Sequence, residues 1–415
     1  MNIRLINTSD QTGGAAVACK RFLDAFNAEG WNAKMLVQEK KSDDPSVVLC
    51  GNTSFSSVRF ALEYIWFNKI AKNPNATNAF SAARVGQSIH SNSELLNADI
   101  IQLHWINNSF LQLKELEKII DLKKPIVWHL HDMWPFTGGC HYSSGCNNYR
   151  LNCGNCLFLK KNHANDLSNK IWNQKKQIFE KANITFVAAS NWLAQIASES
   201  SLCKRHEVIH IPNTINTDFY KPIDKILAKQ KLGLDSNKKH ILFGAMNLSD
   251  TRKGFNYFRE AINKIPTSDK FELLVFGKKN ESLQESFSSK INELGYIDSE
   301  EKMVMVYNAA DMFVIPSLED NLPNTVMESL SCGTPVVGFN TGGVPEMVDH
   351  MKNGFIAEQR NSIQLSEGVN WILNSADYKV ISEAARAKVL NNYSRAVVTK
   401  KYGDLFNCLL KKMHE

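Results

Sequence analysis

Apolar runs of four to six residues alternate with longer amphipathic stretches along the whole chain. That alternation predicts strands followed by helices, the pattern of an α/β architecture with parallel sheets. In the first half the runs predict strands at Ile3–Asn7, Ala33–Val37, Ile100–His104, Ile126–Leu130, Thr185–Ala189 and Glu207–Ile211. In the second half they fall at His240–Ala245, Glu272–Phe276, Met312–Ile315 and Val336–Phe339. Helical patterns cover Ala15–Asn27, Lys225–Leu232 and Val397–Lys412, and no short-period repeat or low-complexity segment interrupts them.

A length of 415 residues exceeds one ordinary core and predicts two domains. The boundary is expected near Asn216–Pro222, after the last strand of the first half. The expected parts are 1–218, with an insertion at about 138–158, then 219–396, and a terminal helix over 397–415. Hydrophobic residues make up 43% and charged residues 22%, which suits a soluble globular protein. No run of eighteen apolar residues occurs, so no membrane span is expected. The opening Met-Asn-Ile-Arg-Leu-Ile-Asn7 reads as a strand and not as a signal peptide. A cytoplasmic location is therefore expected. The net charge of +6, from 48 Lys+Arg against 42 Asp+Glu, fits an anionic ligand or membrane surface and is far from a nucleic-acid footprint.

The chemistry gathers after strand ends. Asp311–Ile315 runs into a Pro-Ser loop, an acidic pair Glu319 and Asp320, a helix with Glu328 inside it, a Gly-Thr-Pro stop and the next apolar strand. In open parallel sheets ligands bind at such carboxyl ends, and a helix start suits a phosphate. A lone acid at a helix start is otherwise an N-cap. Arg252 and Lys253 follow the strand at 240–245 and can neutralise a diphosphate, or simply be solvated cations. Gly13 and Gly14, between the first strand and first helix, let backbone approach a phosphate, or serve only a tight turn. His129 and His131 alternate onto one face at the end of the strand Ile126–Leu130. Either could be a core histidine or an acid–base group.

Cys140, Cys146, Cys153 and Cys156 lie within seventeen residues. Their spacing allows a structural zinc site, with His141 a spare ligand. Packed reduced thiols and a Cys153–Cys156 redox pair are the other readings, and a cytoplasmic setting disfavours structural disulfides. Ser57–Lys72 combines Phe60, Tyr64, Ile65, Trp66 and Phe67 with Arg59, Lys69 and Lys72. It reads as an ordinary amphipathic surface helix or as one that touches membrane or a lipid-linked acceptor.

The stretch from Ile315 to Val337 resembles the donor-binding signature of retaining GT-B glycosyltransferases of the family-4 type. Cys332-Gly-Thr-Pro-Val-Val337, Thr341-Gly-Gly-Val-Pro-Glu346 and Ile211-Pro-Asn-Thr-Ile-Asn-Thr-Asp218 match as well. The likeness covers nearly the whole chain, strongest over 241–357 and looser before 130. The sequence departs from the family in having Asp320 where Glu is usual, and Ala245-Met246-Asn247 where an Arg is usual. Met133-Trp-Pro-Phe-Thr-Gly-Gly-Cys-His141 with the cysteines is similar to a bacterial capsule or exopolysaccharide (colanic-acid-type) subgroup.

The resemblance implies two Rossmann-like domains facing across a cleft, with the last helix crossing back to the first domain. It implies transfer of a sugar from a nucleotide-diphosphate sugar to a growing, lipid-linked surface glycan, with retention and without a catalytic metal. Lys253 and Arg252 would stabilise the leaving diphosphate, and His131 would face the reacting sugar. Glu328 would take the ribose hydroxyls. Asp320, Asn321, Leu322, Pro323, Asn324 and Thr325, with Gly13 and Gly14, would hold the sugar and diphosphate. A sugar-nucleotide epimerase and a non-catalytic sugar-nucleotide-binding scaffold are the alternatives.

Overall fold

The computed structural model describes residues 1–51, 55–73, 79–266, 270–278 and 283–414. Its contacts divide the chain into two units, Met1–Asn213 with Thr399–Glu415, and Thr214–Val398.

The first unit holds a seven-stranded sheet, with strands β1 (Asn2–Ser9), β2 (Asn32–Glu39), β3 (Val47–Leu49), β4 (Ile100–Leu103), β5 (Ile126–Leu130), β6 (Ile184–Ala188) and β7 (Glu207–His210). The order is β3-β2-β1-β4-β5-β6-β7, and every pairing is parallel. The second unit holds β8 (Lys239–Asn247), β9 (Phe271–Lys278), β10 (Ile291–Gly295), β11 (Met312–Ile315), β12 (Val336–Phe339) and β13 (Gly354–Ala357). They are arranged as β10-β9-β8-β11-β12-β13, again all parallel. In both sheets the order reverses beside the first strand, between β1 and β4 and between β8 and β11. These are the switch points where loops diverge and leave room for a ligand.

Burial explains which strands the hydrophobic pattern reveals. All residues of β4, β5, β11 and β12 are buried, as expected for strands covered by helices on both faces. The strands that the apolar runs do not announce are β3, β10 and β13. Each lies at a sheet edge and is partly exposed, so its sequence needs no continuous apolar run.

Residues from Thr399 onward belong with the first unit. They lie on the helix Arg395–His414. Tyr402 and Phe406 are fully buried and meet the rings of Phe22 and Phe26 edge-on at 5.2–5.6 Å. The Tyr402 hydroxyl reaches His129 Nδ1 at 2.7 Å. Among the described residues no helix is long and apolar enough to cross a membrane.

Candidate active site

At the switch point of the second unit, two loops are tied together. After β8 the chain turns through a 3-10 helix, Thr251–Lys253, capped by Asp250, whose carboxylate accepts from the Arg252 N–H at 3.0 Å. Gly254 closes the turn with φ +72, and a Cβ there would lie 1.9 Å from the Pro316 carbonyl oxygen. The turn therefore presses against the loop that follows β11. The Leu318 N–H donates to the Arg252 carbonyl at 2.8 Å. Arg252 reaches back, donating from Nη1 to the Glu319 carbonyl at 2.7 Å and from Nη2 to Asp250 at 3.1 Å. Arg252 thus clamps the acidic loop as well as adding charge to it.

Lys253 Nζ lies 2.6 Å from Asp320 Oδ2, and the same oxygen accepts from Ser317 Oγ at 3.1 Å. Burial pushes the Asp320 carboxyl up, but the Lys253 ammonium and Arg252 guanidinium outweigh it and hold the acid below its ordinary value. Gly342, at φ +57, passes so close that a Cβ would lie 1.6 Å from the Asp320 carbonyl oxygen. The Gly343 N–H donates to that carbonyl at 3.3 Å. This gives the Thr341-Gly-Gly segment a local reason: it packs backbone against backbone behind the acid.

The helix Asn324–Ser331 begins directly after this loop. Asn321, Leu322 and Pro323 are buried, while Asn324 and Thr325 are partly open, so the predicted residues present mainly backbone at the positive end of a helix. Glu328 is buried on the first turns, and its Oε2 accepts from the Tyr307 hydroxyl at 2.8 Å. Burial pushes the Tyr307 phenol well up, and the neighbouring Glu328 carboxylate adds to the rise, so the tyrosine stays a donor. The structure thus brings Arg252, Lys253, Asp320, Glu328 and the 321–325 segment to one sheet end. Tyr307 is the partner that sequence reasoning missed, since nothing in an apolar helical stretch marks a tyrosine that will hold a carboxylate.

The remaining predicted residues lie in the first unit. Gly13 takes φ 95 and ψ 162 at the start of the helix Gly14–Ala28, a region open to glycine. His131 follows β5, and its Nε2 lies 2.9 Å from His104 Nδ1 with the rings stacked at 5.1 Å. Burial, with His129 nearby, pushes His131 well below its ordinary value, so it is neutral at pH 7. His129 is fully buried between Tyr402 and the Asn213 side chain, 3.0 Å from its Nε2, and is a core residue held at about 4 by burial. His104 directly follows the neighbouring strand β4, and two histidines just past adjacent strand ends are the signal that would have paired them.

The zinc expectation is not supported. Cys140, Cys146, Cys153 and Cys156 do line one cavity of about 360 Å³ with Phe80, Tyr149 and other apolar side chains. Yet among the described residues no three His, Cys, Asp or Glu side chains form a set able to hold a metal ion. The Cys153 sulfur accepts from the Gly138 N–H at 3.1 Å, and burial pushes the thiols up, Cys153 to about 12 and Cys156 to about 11. All four are free thiols, and the residues do not fit a zinc ion. His141, the spare ligand, is committed elsewhere: its Nδ1 lies 2.6 Å from Asp132 and its Nε2 2.8 Å from Ser81 Oγ.

Residues 238–375 match the profile of the family described as glycosyl transferases group 1. An uncharacterized glycosyltransferase of Methanocaldococcus jannaschii is 26% identical over 198 residues, 46% of this chain and 50% of that protein. The putative colanic acid biosynthesis glycosyl transferase WcaC of Escherichia coli K12 is 22% identical over 285 residues, 65% of this chain and 67% of that one. The matched region thus spans half to two thirds of these relatives' lengths. The sucrose-phosphate synthase structure from Thermosynechococcus elongatus superposes with a TM-score of 0.69 at 17% identity, covering 99% of both chains. Residues 238–375 thus resemble the glycosyl transferases group 1, and the two parallel α/β sheets share the GT-B fold of the matched structure.

Proposed function

We propose that the chain is a retaining, metal-independent glycosyltransferase. It moves a sugar from a nucleotide-diphosphate sugar to a growing, lipid-linked bacterial surface glycan of the capsule or exopolysaccharide kind. The observation that carries this reading is the constellation after β8 and β11: a Lys253–Asp320 pair beside a helix start that bears Glu328. A cation and a helix amino end together favour a diphosphate. A buried carboxylate, fixed by Tyr307, suits a pair of ribose hydroxyls.

Catalysis in this scheme is stabilisation of the negative charge that develops as the sugar–phosphate bond breaks. Lys253 exchanges Asp320 for the leaving diphosphate, Arg252 holds the loop and adds positive potential, and Asp320 with the backbone of 321–325 positions the sugar. The departing phosphate takes the acceptor's proton on the same face, so no nucleophilic carboxylate is needed. Gly13 and Gly14 approach the diphosphate, and His131, neutral, faces the sugar as a hydrogen-bonding group. The similarity to the Escherichia coli relative of colanic acid biosynthesis supports a glycan acceptor. A cytoplasmic protein, peripheral on the membrane, fits that acceptor.

A thermal-shift screen against UDP-, GDP- and ADP-sugars tests the reading, with Glu328→Ala alongside. One nucleotide should raise the melting temperature, with about 2.7 kcal/mol of stabilisation at a 100-fold excess over its dissociation constant. The shift should vanish in Glu328→Ala. An unchanged shift in the variant refutes the ribose assignment.

A further inference from the structure

A second pocket, of about 430 Å³, opens in the first unit between the helix Ser56–Ile70 and the loop after β4. Two walls are aromatic. Phe60 and Tyr64 stack at 6.1 Å and are each 44% exposed; Phe67 and Phe80 stack at 5.0 Å and are buried. Apart from Ala82 the remaining lining is polar: Glu63, Ser81, Asn108 and Ser109.

Ser81 is held by a relay. The isolated bridge between Phe80 and Cys140 sets it beside His141, whose Nε2 lies 2.8 Å from Ser81 Oγ. Asp132 lies 2.6 Å from His141 Nδ1 and also accepts from Trp105 Nε1 and the Trp134 N–H. A carboxylate only accepts, so His141 Nδ1 carries a proton; in the neutral ring Nε2 then accepts the Ser81 hydroxyl proton. The lone pairs of Ser81 are thereby left for another donor.

Glu63 is likewise an acceptor. Its Oε2 takes the Ser109 hydroxyl at 2.8 Å and its Oε1 the Arg84 N–H. Burial raises the Glu63 carboxyl, with those bonds and the Arg84 guanidinium opposing. The pocket is bordered by residues with left-handed backbone that are not glycine, Ala83 at φ 50, Asn108 at φ 54 and Ser109 at φ 59. Such conformations persist where the surroundings hold them.

The geometry points to this pocket as a saccharide subsite, in which one pyranose ring of a neutral glycan lies against Phe60 and Tyr64 and donates hydroxyls to Ser81 and Glu63. The acceptor-rich end requires a ligand that brings donors. Ser81 and Glu63, as acceptors, offer a phosphate group no donor, and a polar end of this kind would leave a polyprenyl tail facing unsatisfied acceptors. Arg84 beside Glu63 offsets the attraction for a cation. A sugar ring supplies both an apolar C–H face and a hydroxyl edge. The identification of this ring as part of the acceptor rests on the transferase reading. Saccharide binding itself does not.

Saturation-transfer NMR on the full chain tests it, with methyl hexopyranosides and N-acetylhexosaminides as probes, and methyl phosphate and tetramethylammonium as controls. A neutral glycoside should receive saturation on its ring C–H protons. Tyr64→Ala should weaken binding roughly tenfold, the scale of one aromatic contact. Ser81→Ala should weaken it severalfold, with melting temperatures close to the parent's as the folding check. The proposal is overturned if no neutral glycoside is saturated, if both variants bind as the parent does, or if a control ion is the better ligand. The nucleotide-sugar shift on the same variants separates the two readings. In the parent protein, no saccharide binding with an intact shift removes the subsite alone; an absent shift with saccharide binding retained removes the transferase reading and leaves the pocket.

Discussion

Lys253 and Lys175 show how differently two lysines can be used. Lys253 is partly exposed, paired with Asp320 and able to change partner. If it neutralises the leaving diphosphate, Lys253→Ala should lower kcat/KM by roughly 10²–10³, the range for losing one charge-stabilising donor. Steady-state kinetics with the identified donor would read this. Lys175 is fully buried. Its ammonium donates to the carbonyls of Trp134 and Thr137 and sits 3.5 Å over the Trp134 ring.

Burial pushes Lys175 down to about 7. Between that value and the unfolded value near 10.4, the unfolded chain binds more protons, so stability rises with pH. The buried thiols oppose this above about 8.5, where unfolded cysteine begins to ionise. The clear window is therefore pH 7 to 8.5, where stability should rise by about 2 kcal/mol. Urea titrations across that window should show the rise, and Lys175→Met should flatten it. Neither role follows from the residue type. Lys253 was legible because it follows a strand and precedes a glycine, whereas Lys175 looks like any cation on a polar helix, because burial is set by partners distant in sequence.

The elements that place Lys253, Asp320 and Glu328 are loops held by glycine, and there the sequence was most readable. Strand, Pro-Ser loop, acid and helix follow one another within a short span, so local order alone brings Asp320 and Glu328 together. Gly342→Ala probes the one contact that local order does not reveal. The added methyl must displace the Asp320 backbone, and a left-handed residue is strained besides. A loss of about 1–3 kcal/mol is expected, with the nucleotide-sugar shift lost as well; thermal melts with and without ligand measure both. The edge strands β3, β10 and β13 were not readable for the opposite reason. Half-exposed strands have no continuous apolar run, and only pairing with a neighbour identifies them. The Cys-rich insertion was legible as a unit but not in its role. Its spacing suggested a metal, while the folded loop turns its thiols into an apolar cavity and uses its backbone to seat Phe80 and Ser81.

At the scale of the whole molecule, that loop predicts indifference to metal removal. Dialysis against a strong chelator should leave the melting temperature unchanged, and a fall of several degrees would restore the zinc reading. The two-sheet architecture was visible in the alternation of apolar runs, and the mild charge of +6 gave no sign of nucleic acid. The partners of the helix Arg395–His414 were not visible in any apolar pattern, because Tyr402 and Phe406 complete a core made from residues near the other end of the sequence. Ending the chain at Val398 should expose Phe22, Phe26 and His129 and destabilise the first unit by several kcal/mol, on the scale of removing buried aromatic side chains. Limited proteolysis should then cut first within residues 1–213.

The same helix sets a schedule for synthesis. Residues 1–213 leave the ribosome early, but the side chains that close their core follow only after the intervening 214–398. At about 5–20 residues per second that is a wait of roughly 10–40 s, during which the rings of Phe22 and Phe26 lack their cover. The nascent first unit thus keeps part of its aromatic core uncovered until Tyr402 and Phe406 are made.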